Sequence, residues 1–284
     1  MAAPAPEVAP AAARGRGVLH AIEQTLLGGG SRSLKSRAAD AGWRPDAPDA
    51  WCMRCGGSAG PGEADATGCA ACRRRRLAWQ RAVRLGVYEG MLRDAIHALK
   101  YEGDRRIGAE LGGLLGHAIE ASLRREGIDP ASAALVPVPT TDRRRLLRNH
   151  GVDHTRAICR GAAAGTGMGI VPLLRRRHRP AQTGLSPTRR LANVRGAFYA
   201  VGKGPVTGIR AIVLIDDVRT TGATLTACCR ALGRIAAVAQ PADGLPKPEI
   251  WVATCAVSGN RSRRSENAGS EKYSDDKEKP KTDA

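Results

Sequence analysis

Aromatic residues are scarce in this sequence: they make up 3% of its 284 residues, with a single Phe. Because hydrophobic residues still account for 42% of the chain, a globular core has to be built mainly from Ala, Val, Leu and Ile. The sequence also lacks the roughly 18 consecutive apolar residues that a membrane-spanning helix needs. Its first residues do not show the basic start and apolar run of a secretory signal. We therefore expect a cytoplasmic protein without a membrane span and with few rings on which nucleobases could stack.

Acidic residues are outnumbered by basic ones, at 27 against 45, which gives a formal net charge of +18. A surface this basic attracts polyanions and is typical of proteins that associate with nucleic acids. A site for a highly phosphorylated small molecule also needs positive charge, and an arginine-rich composition can reflect coding bias. Charge alone leaves these explanations open.

The distribution of polar and apolar segments divides the chain into four parts. Residues 1–48 and residues 258–284 are predicted to be mostly disordered, since they are interrupted by Pro and Gly or almost wholly polar. Residues 49–80 carry four cysteines, and residues 81–257 alternate apolar strands with amphipathic helices. This alternation predicts an α/β domain with a parallel sheet flanked by helices. Strands are expected at 83–88, 134–138, 211–215 and 250–257, and helices around 111–123 and 223–237.

Two C-x-x-C pairs, Cys52/Cys55 and Cys69/Cys72, flank a glycine-rich stretch. Each pair can present two thiolates from a tight turn, and four thiolates satisfy a tetrahedral Zn²⁺ ion. Disulfides are the alternative, but they are disfavoured in a chain with no export signal. Because four cysteines leave no ligand position open for water, the sequence predicts a structural Zn²⁺ in a small zinc-ribbon-like module. The other cysteines are interpreted as buried small hydrophobic residues.

The strongest chemical signal is the segment 213–225, which reads Val-Leu-Ile-Asp-Asp-Val-Arg-Thr-Thr-Gly-Ala-Thr-Leu. An apolar strand runs into Asp216 and Asp217, and a loop of small residues then leads into a helix. Ligands of open α/β sheets bind beyond the carboxyl ends of the strands, and a helix N-terminus attracts phosphate. Adjacent carboxylates also imply hydroxyl donors or a hydrated metal ion beside them. The alternative is an ordinary strand-to-helix turn in which an Asp caps the helix.

The loop after the acid pair offers backbone and hydroxyl donors to a phosphate. The predicted phosphate-binding residues are Arg219, Thr220, Thr221, Gly222, Ala223 and Thr224. The whole segment resembles the phosphoribosylpyrophosphate-binding motif of type I phosphoribosyltransferases. This resemblance implies the type I phosphoribosyltransferase fold, with Asp216 and Asp217 as catalytic residues that contact the ribose hydroxyls. It also implies that the loop holds the 5-phosphate of 5-phosphoribosyl-1-pyrophosphate, which is bound with Mg²⁺.

Further segments, taken with the cysteine pairs and the acid motif, resemble the ComF family of competence-associated phosphoribosyltransferases over about residues 51–257. These segments are Tyr88-Glu89-Gly90, Ile96 to Asp104, Val136-Pro137-Val138-Pro139, Gln182 to Ser186, Arg190, Asn193 and Ala197-Phe198. The resemblance implies that Thr140, Thr141, Asp142 and Arg143 belong to a pyrophosphate loop. It also implies that Lys100, together with Arg143, neutralises the pyrophosphate.

One segment departs from the family pattern. Members of the family often show Arg-Gly-Phe-Asn-Gln after the pyrophosphate loop, whereas this chain has Arg-Asn-His-Gly-Val-Asp-His at residues 148–154. The sequence therefore predicts no residues that would contact an acceptor base. His97, His150 and His154 have no second ligand at metal spacing and are interpreted as structural or surface residues.

The resemblance implies a phosphoribosyltransferase-like protein that acts in DNA uptake. One alternative is a purine or pyrimidine salvage enzyme, which would need a recognisable base pocket. Another is a non-catalytic module that binds single-stranded DNA or a competence helicase, because a fold alone does not prove activity. In that case the run Arg73 to Arg76 would contribute a salt-dependent affinity for DNA.

Overall fold

The computed structural model describes residues 32–140, 152–177, 196–201, 208–236 and 246–259. In these ranges the strands are β1 (Ala64–Asp65), β2 (Gly68–Cys69), β3 (Arg81–Val87), β4 (Ala133–Pro137), β5 (Gly169–Ile170), β6 (Leu174–Arg176), β7 (Phe198–Ala200), β8 (Ala211–Arg219) and β9 (Glu249–Val257). The α-helices are α1 (Leu34–Asp40), α2 (Gly90–His97), α3 (Arg105–Arg125), α4 (His154–Thr166) and α5 (Ala223–Ala236). A π-helical turn, Ala98–Glu102, follows α2.

The central element is a five-stranded sheet in the order β3-β9-β8-β4-β5, and every neighbouring pair in it is parallel. Two antiparallel ribbons accompany this sheet, one formed by β1 and β2 and the other by β6 and β7. The predicted α/β class, a parallel sheet flanked by helices with a small four-cysteine module, is confirmed.

Strand β8 lies in the middle of the sheet because its apolar run can be buried on both faces. Val213 and Ile215 belong to the core on the side of α3 and α4, whereas Ile212 and Leu214 belong to the core on the side of α5. All of these side chains are at most 2% exposed. The burial of β8 fixes the position of the acid pair that follows it.

Helices α3 and α4 cross at very short range on one face of the sheet. A Cβ atom added at Gly112 of α3 would lie 2.1 Å from the carbonyl oxygen of Ile158 in α4. In the same way, a Cβ at Gly161 of α4 would lie 2.1 Å from the carbonyl oxygen of Ala109. No side chain fits at such distances, so glycine at both positions sets how closely α4 approaches the core.

Helix α1 lies within the N-terminal part for which the sequence predicted mostly disorder. The Ser33 side chain caps this helix by accepting a hydrogen bond from the Ser36 backbone N–H, and Leu34 is buried in the core. Of the predicted disordered segments, residues 32–48 and 258–259 are described, and residues 1–31 and 260–284 lie outside the described residues. Among the helices of the described ranges, none combines the length and the apolar character needed to cross a membrane.

Candidate functional site

The acid pair stands where β8 reaches the carboxyl edge of the sheet. The buried residue before it, Ile215, accepts a hydrogen bond (2.9 Å) from the backbone N–H of Val138, so the end of β4 lies beside the acids. Asp217 is 4% exposed, whereas Asp216 is half-buried. The backbone N–H of Asp217 donates to Oδ1 of Asp216 at 2.9 Å. Parallel sheets bind their ligands at this edge.

Two basic side chains contact Asp217, one on each carboxylate oxygen. Nζ of Lys100 lies 3.0 Å from Oδ1, and Nε2 of His154 lies 2.8 Å from Oδ2. Lys100 comes from the π-helical turn after α2, a type of irregularity that is frequent at functional sites. His154 is the first residue of α4, and the side chain of Asp153 caps that helix. Segments far apart in the sequence therefore meet at one carboxylate.

The two acids differ in their electrostatic surroundings. Burial and, after it, the charge of Asp217 raise the pKa of Asp216 to about 7. Burial also acts to raise the pKa of Asp217, but the contacts with His154 and Lys100 outweigh it and hold this pKa below its usual range. Burial lowers the pKa of Lys100, yet the charge of Asp217 more than compensates and raises it overall. Asp216 makes no ion pair with any described residue, so it is the acid without a positively charged partner in the described part of the chain.

The turn after the acid pair leads directly from β8 into α5. Gly222 has a φ of 74°, a left-handed conformation that favours glycine, and α5 begins at the next residue. The hydroxyl of Thr221 accepts a hydrogen bond (3.4 Å) from the backbone N–H of Ala223. Thr220 and Thr221 are exposed, while Thr224 is half-buried. Helix α5 begins at the same edge of the sheet as the acids, and the N-terminus of a helix favours an anion.

Arg219 occupies a different place from the other predicted phosphate-binding residues. Its guanidinium lies against Gly56 of the cysteine module, where an added Cβ would be 3.7 Å from one guanidinium nitrogen. Its aliphatic stem lies along Gly222, and the ring of Trp79 packs on that glycine as well. Burial lowers the pKa of Arg219. The Arg219 side chain therefore connects the Gly222 turn with the cysteine module.

The other predicted ligand residues fall partly outside the described chain. Thr140 is half-buried and lies three residues after Pro137, the end of β4. Thr141 and Arg143 lie outside the described residues, and so does most of the segment that departs from the family pattern. The roles assigned to these residues stay predictions.

His154 is the residue of this cluster that the sequence interpretation missed. The sequence pattern favours a structural or surface role for His154, because no second metal ligand stands at the right spacing from it. Its side chain is instead 19% exposed and touches Asp217. The signal that could have identified it is its position at the start of a helix that follows β4, since such helix starts lie at the ligand-binding edge of a parallel sheet.

The four cysteines of the two C-x-x-C pairs come together in one buried cluster. Their Sγ atoms lie within 4.8 Å of one another, with separations of 3.7 Å for Cys52 and Cys72 and 3.7 Å for Cys55 and Cys69. Four sulfurs bound tetrahedrally at the usual zinc–sulfur length are roughly 3.8 Å apart. All eight cysteines are described and are free thiols, so the disulfide alternative has no support. The cluster can hold a metal ion such as zinc.

Arg84 of β3 joins the cysteine module to the sheet. This side chain is 2% exposed and lies 2.6 Å from a carboxylate oxygen of Asp46. It also donates to the carbonyl oxygens of Ala50 and Gly56, and it lies over the ring of Trp51. A buried guanidinium with this many partners fixes the module firmly on the strand.

Comparison with characterised proteins agrees with the resemblance that the motifs carry. The chain is 26% identical over 239 residues to Competence protein F of Haemophilus influenzae, a match that covers 83% of this chain and 93% of that protein. No family model matches the chain. The span of the match confirms the predicted resemblance to the ComF family, because it extends well beyond the acid motif.

Proposed function

We propose that this chain is a phosphoribosyltransferase-like protein of the ComF type that binds 5-phosphoribosyl-1-pyrophosphate with Mg²⁺. The observation that carries the proposal is the pair Asp216 and Asp217 at the end of a central parallel strand, followed by the Gly222 turn into α5. Such a turn suits a phosphate, and an acid pair beside it suits a sugar diol.

The electrostatics of the acid pair support a sugar diol as the ligand. Asp216 has a raised pKa and no ion pair among the described residues, so its carboxylate gains most from hydroxyl donors. Asp217 is held in place and ionised by Lys100 and His154. In the proposal Asp216 and Asp217 accept hydrogen bonds from the ribose 2- and 3-hydroxyls. They also stabilise the positive charge that develops on the sugar.

The proposed transfer of a phosphoribosyl group to an acceptor needs no covalent protein nucleophile. An acceptor nitrogen forms a bond to the anomeric carbon while the bond from that carbon to the pyrophosphate oxygen breaks. The electron pair of the broken bond leaves with pyrophosphate, and the acceptor nitrogen releases its proton to solvent. Mg²⁺, when bound with pyrophosphate, neutralises charge on this leaving group. The chain's own contribution is to position the sugar and its 5-phosphate.

The four-cysteine cluster is proposed to hold one structural Zn²⁺. The sulfur separations of 3.7 Å fit a tetrahedral site, and four thiolates leave no open position for substrate or water. Zinc would therefore stabilise the module that Arg84 fastens to the sheet.

We also propose a role in DNA uptake, which the similarity to a protein named Competence protein F supports. The exposed run Arg73 to Arg76, which follows Cys72 directly, is the described surface that favours contact with single-stranded DNA or with a partner of the uptake machinery. This role is compatible with phosphoribosyl transfer and does not depend on it.

Calorimetric titration of 5-phosphoribosyl-1-pyrophosphate with Mg²⁺ tests the proposed site. We expect the wild type to bind, and the Asp216→Asn, Asp217→Asn double variant to lose at least about a hundredfold in affinity, because two charged hydrogen-bond acceptors are removed. Asp94→Asn, which alters an exposed acid of α2, is the control and should bind as the wild type does. If the wild type and a folded double variant bind 5-phosphoribosyl-1-pyrophosphate with equal affinity, the proposed site is ruled out. Incubation with free bases would test the salvage alternative.

A further inference from the structure

Two side chains cover one face of the turn at Gly222. A Cβ atom added at Gly222 would lie 3.4 Å from Cη2 of the Trp79 ring and 3.8 Å from Cδ of Arg219. Distances of this size are ordinary contacts between packed atoms. The conformation of the turn therefore depends on where Trp79 and Arg219 lie.

The Trp79 ring is held by the first cysteine turn, residues 52–57. Its indole Nε1 donates to the backbone carbonyl oxygen of Arg54 at 3.1 Å, and Arg54 lies between Cys52 and Cys55. The Trp79 side chain is 6% exposed and belongs to the core on the side of α5. A buried indole N–H needs one fixed acceptor, so the backbone of the first cysteine turn sets the position of this ring.

The Arg219 guanidinium lies against the same turn. A Cβ atom added at Gly56 would be 3.7 Å from Nη2 of Arg219 and 3.9 Å from its Nε. Gly56 directly follows Cys55, and its N–H donates to the carbonyl oxygen of Cys52 at 2.7 Å. In the described part of the chain this guanidinium makes no ion pair with a carboxylate. The anionic group nearest in the sequence to its contact is therefore the thiolate of a metal ligand.

A metal ion in the cluster would act on both contacts. Zn²⁺ displaces the protons of the thiols that bind it, and four thiolates around one Zn²⁺ leave a net negative charge. A loaded cluster therefore attracts the guanidinium of Arg219 more strongly than an empty one does. The ion also fixes the backbone of the first cysteine turn, which includes the carbonyl oxygen that holds Trp79. Both supports of the Gly222 turn thus depend on the same ion.

We propose that metal bound by the four cysteines controls how tightly the Gly222 turn binds phosphate, with Trp79 and Arg219 as the positioning residues. The inference rests on the proposed function, in which this turn holds the 5-phosphate of 5-phosphoribosyl-1-pyrophosphate. In the loaded protein the turn is already held in one conformation, so binding does not have to order it. In the metal-free protein both supports are weakened, and phosphate binding has to order the turn as well. The cysteine module is then regulatory as well as structural.

The first experiment compares loaded and metal-free wild type. 5-Phosphoribosyl-1-pyrophosphate with Mg²⁺ is titrated by calorimetry into the reduced full-length chain before and after a zinc-selective chelator removes the metal. Mg²⁺ prefers oxygen ligands and does not replace zinc at thiolates. We expect the metal-free protein to bind about tenfold more weakly. Without ligand, the amides of residues 219–225 should exchange hydrogen faster in the metal-free protein, because the turn opens more readily.

The variant Trp79→Phe keeps a ring in the core but lacks both Nε1 and Cη2. It should retain one zinc per chain and bind about threefold more weakly than the wild type when loaded, and metal removal should weaken it by less than about threefold. Trp51→Phe is the matched control. Trp51 is 4% exposed and its Nε1 donates to the carbonyl oxygen of Ala82 at 3.3 Å, so the control removes a comparable buried hydrogen bond of the module. Trp51 is not among the nearest neighbours of Gly222, and this control should keep the wild-type dependence on metal.

Three results would overturn the inference. They are equal affinity of loaded and metal-free wild type, an equal loss in both Trp variants, and tighter binding without metal, which would show that the released Arg219 reaches the phosphate itself. If the metal-free chain unfolds, the loaded forms decide, and wild-type affinity and exchange in zinc-loaded Trp79→Phe would exclude the coupling. Failure of the loaded wild type to bind 5-phosphoribosyl-1-pyrophosphate would contradict the proposed function, whereas metal-dependent exchange at residues 219–225 would still support the coupling of the turn to the cluster.

Discussion

Replacing Lys100 by Met removes one of the two partners of the buried carboxylate of Asp217. The side chains of Lys100 and Asp217 are 23% and 6% exposed, so this ion pair is much less screened than one at the surface. Breaking a fully buried pair by removing one partner costs about 3–5 kcal/mol. Because His154 still contacts Asp217 at 2.8 Å and Lys100 is partly exposed, we expect a smaller loss of about 2 kcal/mol in the free energy of unfolding.

Urea unfolding at neutral pH measures this loss, which corresponds to a fall of about 1 M in the midpoint. Arg93→Met is the control, because the side chains of Arg93 and Asp94 are 58% and 60% exposed and such pairs contribute about 0–1 kcal/mol.

The ion pair of Lys100 and Asp217 also makes the free energy of unfolding depend on pH. The folded-state pKa of Asp217 lies below its unfolded value, so the ionised carboxylate stabilises the fold above about pH 4 and this contribution is lost as the pH falls. The difference between wild type and Lys100→Met should therefore shrink in acid. Equal midpoints for the Lys100 and Arg93 variants would refute the contact.

Three further predictions follow from the same geometry. The folded-state pKa of Asp216 is raised to about 7, so the native state keeps a proton that the unfolded state releases, and stability falls as the pH rises from about 4 to about 7. Asp216→Asn removes this titration and should therefore raise the melting temperature more at about pH 8 than at about pH 5. An equal change at both pH values would contradict this prediction. Gly112→Ala should lower stability by about 2 kcal/mol or more in urea unfolding because of the clash with α4, whereas Gly113→Ala, with nothing within 4 Å, should be neutral or stabilising. Elemental analysis should find one zinc per chain in the wild type and in Cys228→Ser but little in Cys52→Ser, and equal contents would exclude the four-cysteine site.

The parts of the structure that the sequence predicted well are those encoded by neighbouring residues. The strand, acid pair, turn and helix of residues 213–225 form one continuous segment, and the pattern of apolar, acidic and small residues follows the local structure directly. The same holds for the cysteine pairs, because each C-x-x-C turn is a local structure. Strand β8 nevertheless continues to Arg219, beyond the predicted end at Ile215, since Val218 and Arg219 still pair with residues of β9.

The contacts that could not be predicted depend on how distant segments pack. The sequence can place Lys100 and His154 near the ligand-binding edge, but it does not show that both contact Asp217, because this requires the π-helical turn and the start of α4 to meet at one carboxylate. The α3–α4 crossing is a similar case, since a glycine within a helix weakens the helix and shows its value only against a neighbouring backbone. The direction of the Arg219 side chain likewise depends on the position of the cysteine module.

That direction of Arg219 places one side chain in contact with both the cysteine module and the Gly222 turn. The guanidinium of Arg219 lies against Gly56, which follows Cys55. Its aliphatic carbons and the ring of Trp79 lie against Gly222, in the turn before α5. If a metal ion in the cysteine cluster changes the affinity of the Gly222 turn for its ligand, that ligand changes the affinity of the cluster for the metal ion by the same factor. Under the proposed function, loss of that metal ion would weaken the binding of a sugar phosphate by this protein while every carboxylate of the site stays unchanged.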